Sequence, residues 1–242
     1  MGTGRSVFAA AGMFLLAVPW TTRAGQTVPI DASAAFTIRP VSTVVDGKMV
    51  PLDHDVDGAG GMATAAAAAA ATHGTPDPHA LPDDGRFPAD GRHPDVVLPY
   101  AVGDDGRKNQ ARRSQGEDAF SFPVPPGRYA KLFLFLSSGQ GPSDIEVTLA
   151  YDDGTSEARP FRVPDWFWDL KPDDPDWVYL ARDLSKWAPD KMLEKSHHSI
   201  FGLDVHPAPG KALATVLVHK EAKGILAFYG ATGEAADGSP GR

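Results

Sequence analysis

Two short stretches hold the residues whose types and spacing could do chemistry. Asp53-His54-Asp55-Val56-Asp57-Gly58 sets three carboxylates at alternate positions before a glycine, an order that can turn oxygen ligands toward a hard cation such as Ca²⁺. An EF-hand loop would need Glu at its twelfth position, where Thr64 stands. The expectation is therefore a sandwich-type structural Ca²⁺ site at Asp53, Asp55 and Asp57; the alternative is a solvated acidic loop in which Asp57 caps a turn. The second stretch is Asp165-Trp166-Phe167-Trp168, with Trp177 following. The C–H face of a sugar packs on an indole, and a neighbouring carboxylate accepts hydrogen bonds from its hydroxyls. The candidate carbohydrate-binding residues are Asp165, Trp166, Trp168 and Trp177. In an extended strand Trp166 and Trp168 would share one face. Large aromatics are mostly buried, so Trp166 is expected to plug the end of a core. Trp168 and Trp177, lying among Asp, Lys and Pro, are expected to offer an exposed platform.

Other chemistries find less support. The eight histidines include no HExxH pattern, and His197-His198 would face opposite sides of an extended chain. His206 and His219 fall on expected strands, where a structural role is commoner than ligation. No G-x-S-x-G elbow is present to hold a serine nucleophile. Glycoside hydrolysis needs two carboxyl groups about 5 to 9.5 Å apart. The 31 acidic residues offer many pairs, but only Asp165 stands out, with no second residue beside it. No catalytic residue is assigned.

The elements that must position these residues read as strands. Lys131 to Leu136, KLFLFL, is an apolar run bounded by PPG and SSGQGP, short enough to be a strand buried on both faces. Ile145, Val147, Leu149 and Tyr151 alternate with Glu146, Thr148 and Ala150, which predicts a half-buried strand. Asp152-Asp153-Gly154-Thr155 then reverses the chain into a hairpin returning through Glu157 to Val163. Pro160 and Pro164 place that returning strand at a sheet edge or a bulge. Further strands are expected at Val28–Ile30, Ala35–Ile38, Thr43–Val45, Val96–Tyr100, Trp177–Leu180, Ile200–Val205, Ala212–His219 and Ile225–Tyr229, the last two apolar at both parities. Ala65–Ala71 reads as a surface loop or a single helical turn, because so short a helix is marginal in isolation. Thr75–Pro94 and Asp104–Arg113 read as loops. Leu184, Trp187 and Met192 suggest a short helical excursion, limited by Pro189. The pattern is an all-β sandwich of jelly-roll type with long irregular loops and at most one or two short helices.

Arg5, the apolar run Val7–Val18 and the small-residue end Thr22-Arg23-Ala24 form a signal-peptide pattern. Pro19 closes the run well short of the roughly 20 residues a span requires. Cleavage after Ala24 and secretion, extracellular or periplasmic, are expected, with one domain over residues 25–233, a flexible tail over 234–242 and a monomeric chain. No cysteine is available for disulfides, and the formal charge of −8 argues against a phosphate-backbone partner. The local cluster Arg107, Lys108, Arg112 and Arg113 reads as a solvated turn rather than a nucleic-acid site.

Five stretches, taken in order, carry a resemblance. DVDGAGG (Asp55–Gly61), LPDDGRFP (Leu81–Pro88), KNQARRSQGEDAFSFPVPPGRYAKLFLFL (Lys108–Leu136), VTLAYDDGT (Val147–Thr155) and PDW (Pro164–Trp166) resemble the galactose-binding-like β-sandwich accessory domains of secreted bacterial glycosidases, those attached to α-mannosidase-like and α-fucosidase-like enzymes. The resemblance spans roughly Val44 to Gly230. It implies a jelly-roll fold and a non-catalytic module that binds or presents glycan. Two stretches depart from the pattern: the Ala tract, where the family usually places an aromatic-bearing strand, and ARRSQGED after the Lys-Asn pair. Two other classes stay open, a small secreted hydrolase of polysaccharide and a purely structural or envelope-interaction domain.

Overall fold

The computed structural model describes residues 25–236. The expected signal peptide and the end of the expected tail lie outside them. The described residues form fifteen strands: β1 (Thr27–Ile30), β2 (Val41–Val45), β3 (Lys48–Val50), β4 (Met62–Ala63), β5 (Arg86–Phe87), β6 (Val96–Val97), β7 (Arg112–Gln115), β8 (Asp118–Gly127), β9 (Tyr129–Gly139), β10 (Ser143–Tyr151), β11 (Ser156–Val163), β12 (Trp177–Trp187), β13 (Met192–Val205), β14 (Leu213–Lys220) and β15 (Ile225–Ala235). One α-helix, α1 (Ala65–Ala71), and one 3₁₀ turn at Ser33–Ala35 join them. Among the described residues no helix is long and apolar enough to cross a membrane.

The strands build an all-β sandwich. One sheet has the order β1-β15-β9-β13-β12, with β7 also on β15; the other has the order β11-β10-β14-β8. The central position of β9 accounts for KLFLFL being apolar at both parities. Leu132, Leu134 and Leu136 face Val147, Leu149, Val216 and Val218 of the second sheet. Phe133 and Phe135 point the other way, into a second core that the 38–111 segment closes through Ile38, Leu98 and Tyr100. A strand covered on both faces has no side left for polar residues.

Alternation in β10 holds as expected, and β11 lies at the sheet edge, where Pro160 removes no ladder bond that matters. The opposite edge, β8, carries Pro123, Pro125 and Pro126, which protects it from strand addition in the same way.

Several expectations are corrected. The Ala tract is a full helical segment, and packing supplies what nucleation withholds. Thr64 caps the N–H of Ala67, Asp83 Oδ1 accepts the N–H of Ala66 at 2.8 Å, and Ala67 and Ala68 are buried with Leu52, Ala63 and Trp187. The expected helical excursion at Leu184, Trp187 and Met192 is instead the paired hairpin of β12 and β13, with Trp187 opposite Met192. Repeated register shifts interrupt that ladder, with Asp183 at φ 57°. Such irregularities convert a period of two into an apparent period of three. The stretch expected as a strand at Ala35–Ile38 instead begins on the last residue of the 3₁₀ turn Ser33–Ala35 and ends on a single bridge from Ile38 to Ala111. β14 is buried on one face only, leaving Leu217 in solvent. β15 runs through Ala235.

Candidate functional site

The site grows from the way the chain leaves β11. After Pro164, Asp165 forms a bridge to Ser138 of β9, and the N–H of Trp166 donates to the Ser138 carbonyl at 2.7 Å. Asp165 lies 8% exposed. Its Oδ2 accepts the N–H of Gly141 at 2.6 Å and its Oδ1 the N–H of Phe167 at 3.0 Å, while its carbonyl accepts the N–H of Trp168 at 2.9 Å. Each oxygen is therefore spent on shaping the turn. The expectation was an acceptor presented to a sugar; the structure places this carboxylate largely out of solvent, on the backbone of the turn.

Trp166 is 2% exposed, its ring centroid 4.3 Å from that of His198 and 5.8 Å from Lys186 Nζ. It is the anchor of the turn, as expected, rather than a ligand contact. A fixed acid on one side and a buried indole on the other hold the next two residues outward. Phe167 is 49% and Trp168 52% exposed. Phe167 touches the rings of His197 and His198, centroids 5.6 Å apart in each case.

Trp168 lines a groove of about 550 Å³ between β11 and the 169–176 crossing, within the range of small-molecule sites. Phe161, Arg162 and Pro164 form one wall; Asp169, Lys171 and Asp174 belong to the other. That second wall is ordered by short-range bonds. Asp174 Oδ1 accepts the N–H groups of Asp176 and Trp177, each at 3.1 Å. The Tyr179 hydroxyl accepts the N–H of Leu170 at 2.7 Å and donates to Asp169 Oδ1 at 3.3 Å. Burial pushes the Tyr179 hydroxyl pKa up, so it stays a protonated donor across the physiological range.

Trp177 borders this groove but is 5% exposed, which corrects its expected place on a platform. It opens β12 opposite Leu203 and packs edge-on to Phe201, centroids 6.3 Å apart, in the main core. The polar residues before it, Asp173 to Asp176, belong to a crossing loop and say nothing about the side the indole takes. Of the four candidate residues the structure leaves Trp168 as the one open to a ligand. Sequence reasoning missed Phe161 and Arg162. The expected hairpin already placed β11 just ahead of the Trp turn, and that adjacency was the available signal.

The acidic loop is differently occupied. Asp53 Oδ1 accepts the N–H of Arg39 at 2.8 Å and lies 3.0 Å from His54 Nδ1. Asp55 Oδ1 accepts the N–H of Gly58 and pairs with Arg113 at 3.2 Å. Asp57 Oδ1 accepts the N–H of Ala59 at 3.0 Å, and its Oδ2 meets Lys186 Nζ at 2.6 Å. Among the described residues no group of three or more His, Asp or Glu side chains is placed to hold a metal. The donor set does not fit Ca²⁺, since two of its three carboxylates already carry cationic side chains. Asp57 does cap its turn, the alternative drawn from the sequence. The basic cluster is likewise engaged: Arg112 pairs with Asp118 at 2.7 Å and Lys108 donates to the Val102 carbonyl.

No family model and no curated protein matches this chain.

Proposed function

We propose that this chain is an exported, non-catalytic β-sandwich module that binds carbohydrate in the groove beside Trp168. One observation carries the reading: an indole more than half exposed stands on a turn that Asp165 and Trp166 hold fixed. An exposed indole offers a flat apolar face on which a sugar ring can pack, and fixing it beforehand lowers the entropy lost on binding. Arg162, Lys171 and Asp169 around it supply the donors and acceptors that hydroxyl groups need. The sequence resemblance to galactose-binding-like accessory domains of glycosidases supports the same reading and suggests a setting beside a polysaccharide-degrading enzyme.

A glycan array probed with the chain and with Trp168→Ala tests it. The unmodified chain is expected to retain at least one glycan, and the variant to lose at least tenfold in affinity with its melting midpoint unchanged. Equal retention by both proteins would remove the groove from consideration.

A further inference from the structure

Resting on that reading, we infer that the site takes the interior of an extended, uncharged polysaccharide chain rather than a single terminal sugar, and that the ligand crosses β11 onto the outer face of the second sheet. The groove at Trp168 has a neighbour on the other side of β11. A second groove of about 490 Å³ lies on that outer face and shares Pro160, Phe161 and Arg162 with the first. The two grooves are therefore neighbours across the β11 edge.

The register gives the path its direction. Glu146 of β10 stands opposite Pro160 of β11 on one side and opposite His219 of β14 on the other. At the ~4.8 Å spacing of neighbouring strands, this row runs about 10 Å across the sheet, room for about two further sugar units beyond the one on Trp168. Paired residues share a face, so Glu146 and His219 project to the same side as Pro160. Arg162 Nη1 is held 3.1 Å from Asp144 Oδ1 at the ridge, where a guanidinium and a carboxylate can each meet a hydroxyl.

The edge itself favours a polysaccharide over a peptide. Pro160 has no N–H to offer an added strand, so β-augmentation is blocked at the point where the ligand would cross. Charge narrows the class further: Asp144, Glu146 and Glu221 outnumber Arg162 on the second groove, and an anionic polymer would meet like charge there.

The test is isothermal titration with cello-, xylo- and manno-oligosaccharide ladders of one to six units. Affinity is expected to rise at least tenfold between two and four units in one series. Glu146→Ala/His219→Ala should erase that gain and leave the affinity for the two-unit ligand unchanged. Arg162→Ala, on the shared ridge, should weaken both lengths. All three side chains are solvent-facing, and melting curves matched to the unmodified chain verify the fold. Affinity independent of length, or a length gain indifferent to Glu146→Ala/His219→Ala, would overturn the extended path while leaving carbohydrate binding at Trp168 intact. Absence of binding to every ladder by the unmodified chain would overturn the extended path; absence of binding on the glycan array as well would overturn the carbohydrate reading with it.

Discussion

Trp166 and Trp168 are two residues apart and do opposite work. Trp166 fills a core against His198 and Lys186, so Trp166→Ala should cost about 3 to 5 kcal/mol, as truncations of buried aromatics do. Trp168→Ala removes only a half-exposed ring and should leave the thermal midpoint within a degree or so, while glycan retention falls. Chemical denaturation of both variants checks the contrast; an early-melting Trp168→Ala protein would make that ring structural. The carboxylates admit a second prediction. Lys186 and Asp57 meet at 2.6 Å in a largely enclosed position, and Lys186→Ala strands the carboxylate, so a loss of about 1 to 3 kcal/mol is expected. Excess chelator should leave the midpoint of the unmodified chain where it was, and a drop of several degrees would show a bound ion holding the loop. At this scale the sequence revealed which residue types could act but not which way they face. The DxDxD spacing is the same whether its oxygens meet a cation, an arginine or backbone amides. Asp165 likewise looks identical as a sugar acceptor and as the acid that ties a turn to Gly141.

Among the elements, the hairpin from β10 to β11 was the most legible, because its turn has a mechanism. Gly154 sits at φ 82°, its N–H donates to the Tyr151 carbonyl at 3.1 Å, and Asp153 Oδ1 accepts from Thr155. A Cβ added at Gly154 would meet nothing within 4 Å. Any cost of Gly154→Val is then backbone strain alone, about 1 to 3 kcal/mol. The Asp153 carboxyl is held down to about 2 by the Thr155 hydroxyl first, then the Thr155 N–H and Lys211. Asp153→Asn keeps an oxygen for Thr155 and should change stability far less. Urea midpoints for the two variants decide the matter, and equal losses would mean the turn is held by its side chain. KLFLFL was legible for a related reason, since only a doubly covered strand is apolar at both parities. The Ala tract and the β12–β13 hairpin were not. In each the deciding term is tertiary: burial of Ala67 and Ala68 under Trp187 for the helix, and irregular pairing that hides the alternation for the strands.

For the whole molecule, stability should depend on pH in two stages, of which the second core sets the first. His198 is buried beneath Trp166, and that burial pushes its pKa below the ordinary 6.5. The Leu184 carbonyl, Glu194 at 3.6 Å and Asp57 pull the other way, and Lys186 adds to the depression. The native state therefore binds this proton less readily than the unfolded chain does. Stability contributed by neutral His198 is complete above the unfolded value and declines as pH falls from about 7 toward the native value. Lower down, Asp104 and Asp118 act. Burial alone would raise both, but hydrogen bonds from Arg39 and Thr43 to Asp104, and from Arg112 and Ser114 to Asp118, outweigh it and hold both below the usual carboxylate range. Their contribution is present above about pH 4 and is lost as pH falls through the native values. Thermal midpoints measured from pH 8 to pH 3 should thus be level at first, decline gently from about 7 and fall steeply below about 4. His198→Gln lowers the starting midpoint but removes the gentle decline and keeps the steep one. If the variant and the unmodified chain lose midpoint in parallel between pH 7 and 5, the upper stage belongs to other groups, and the core beneath Trp166 does not sense acid.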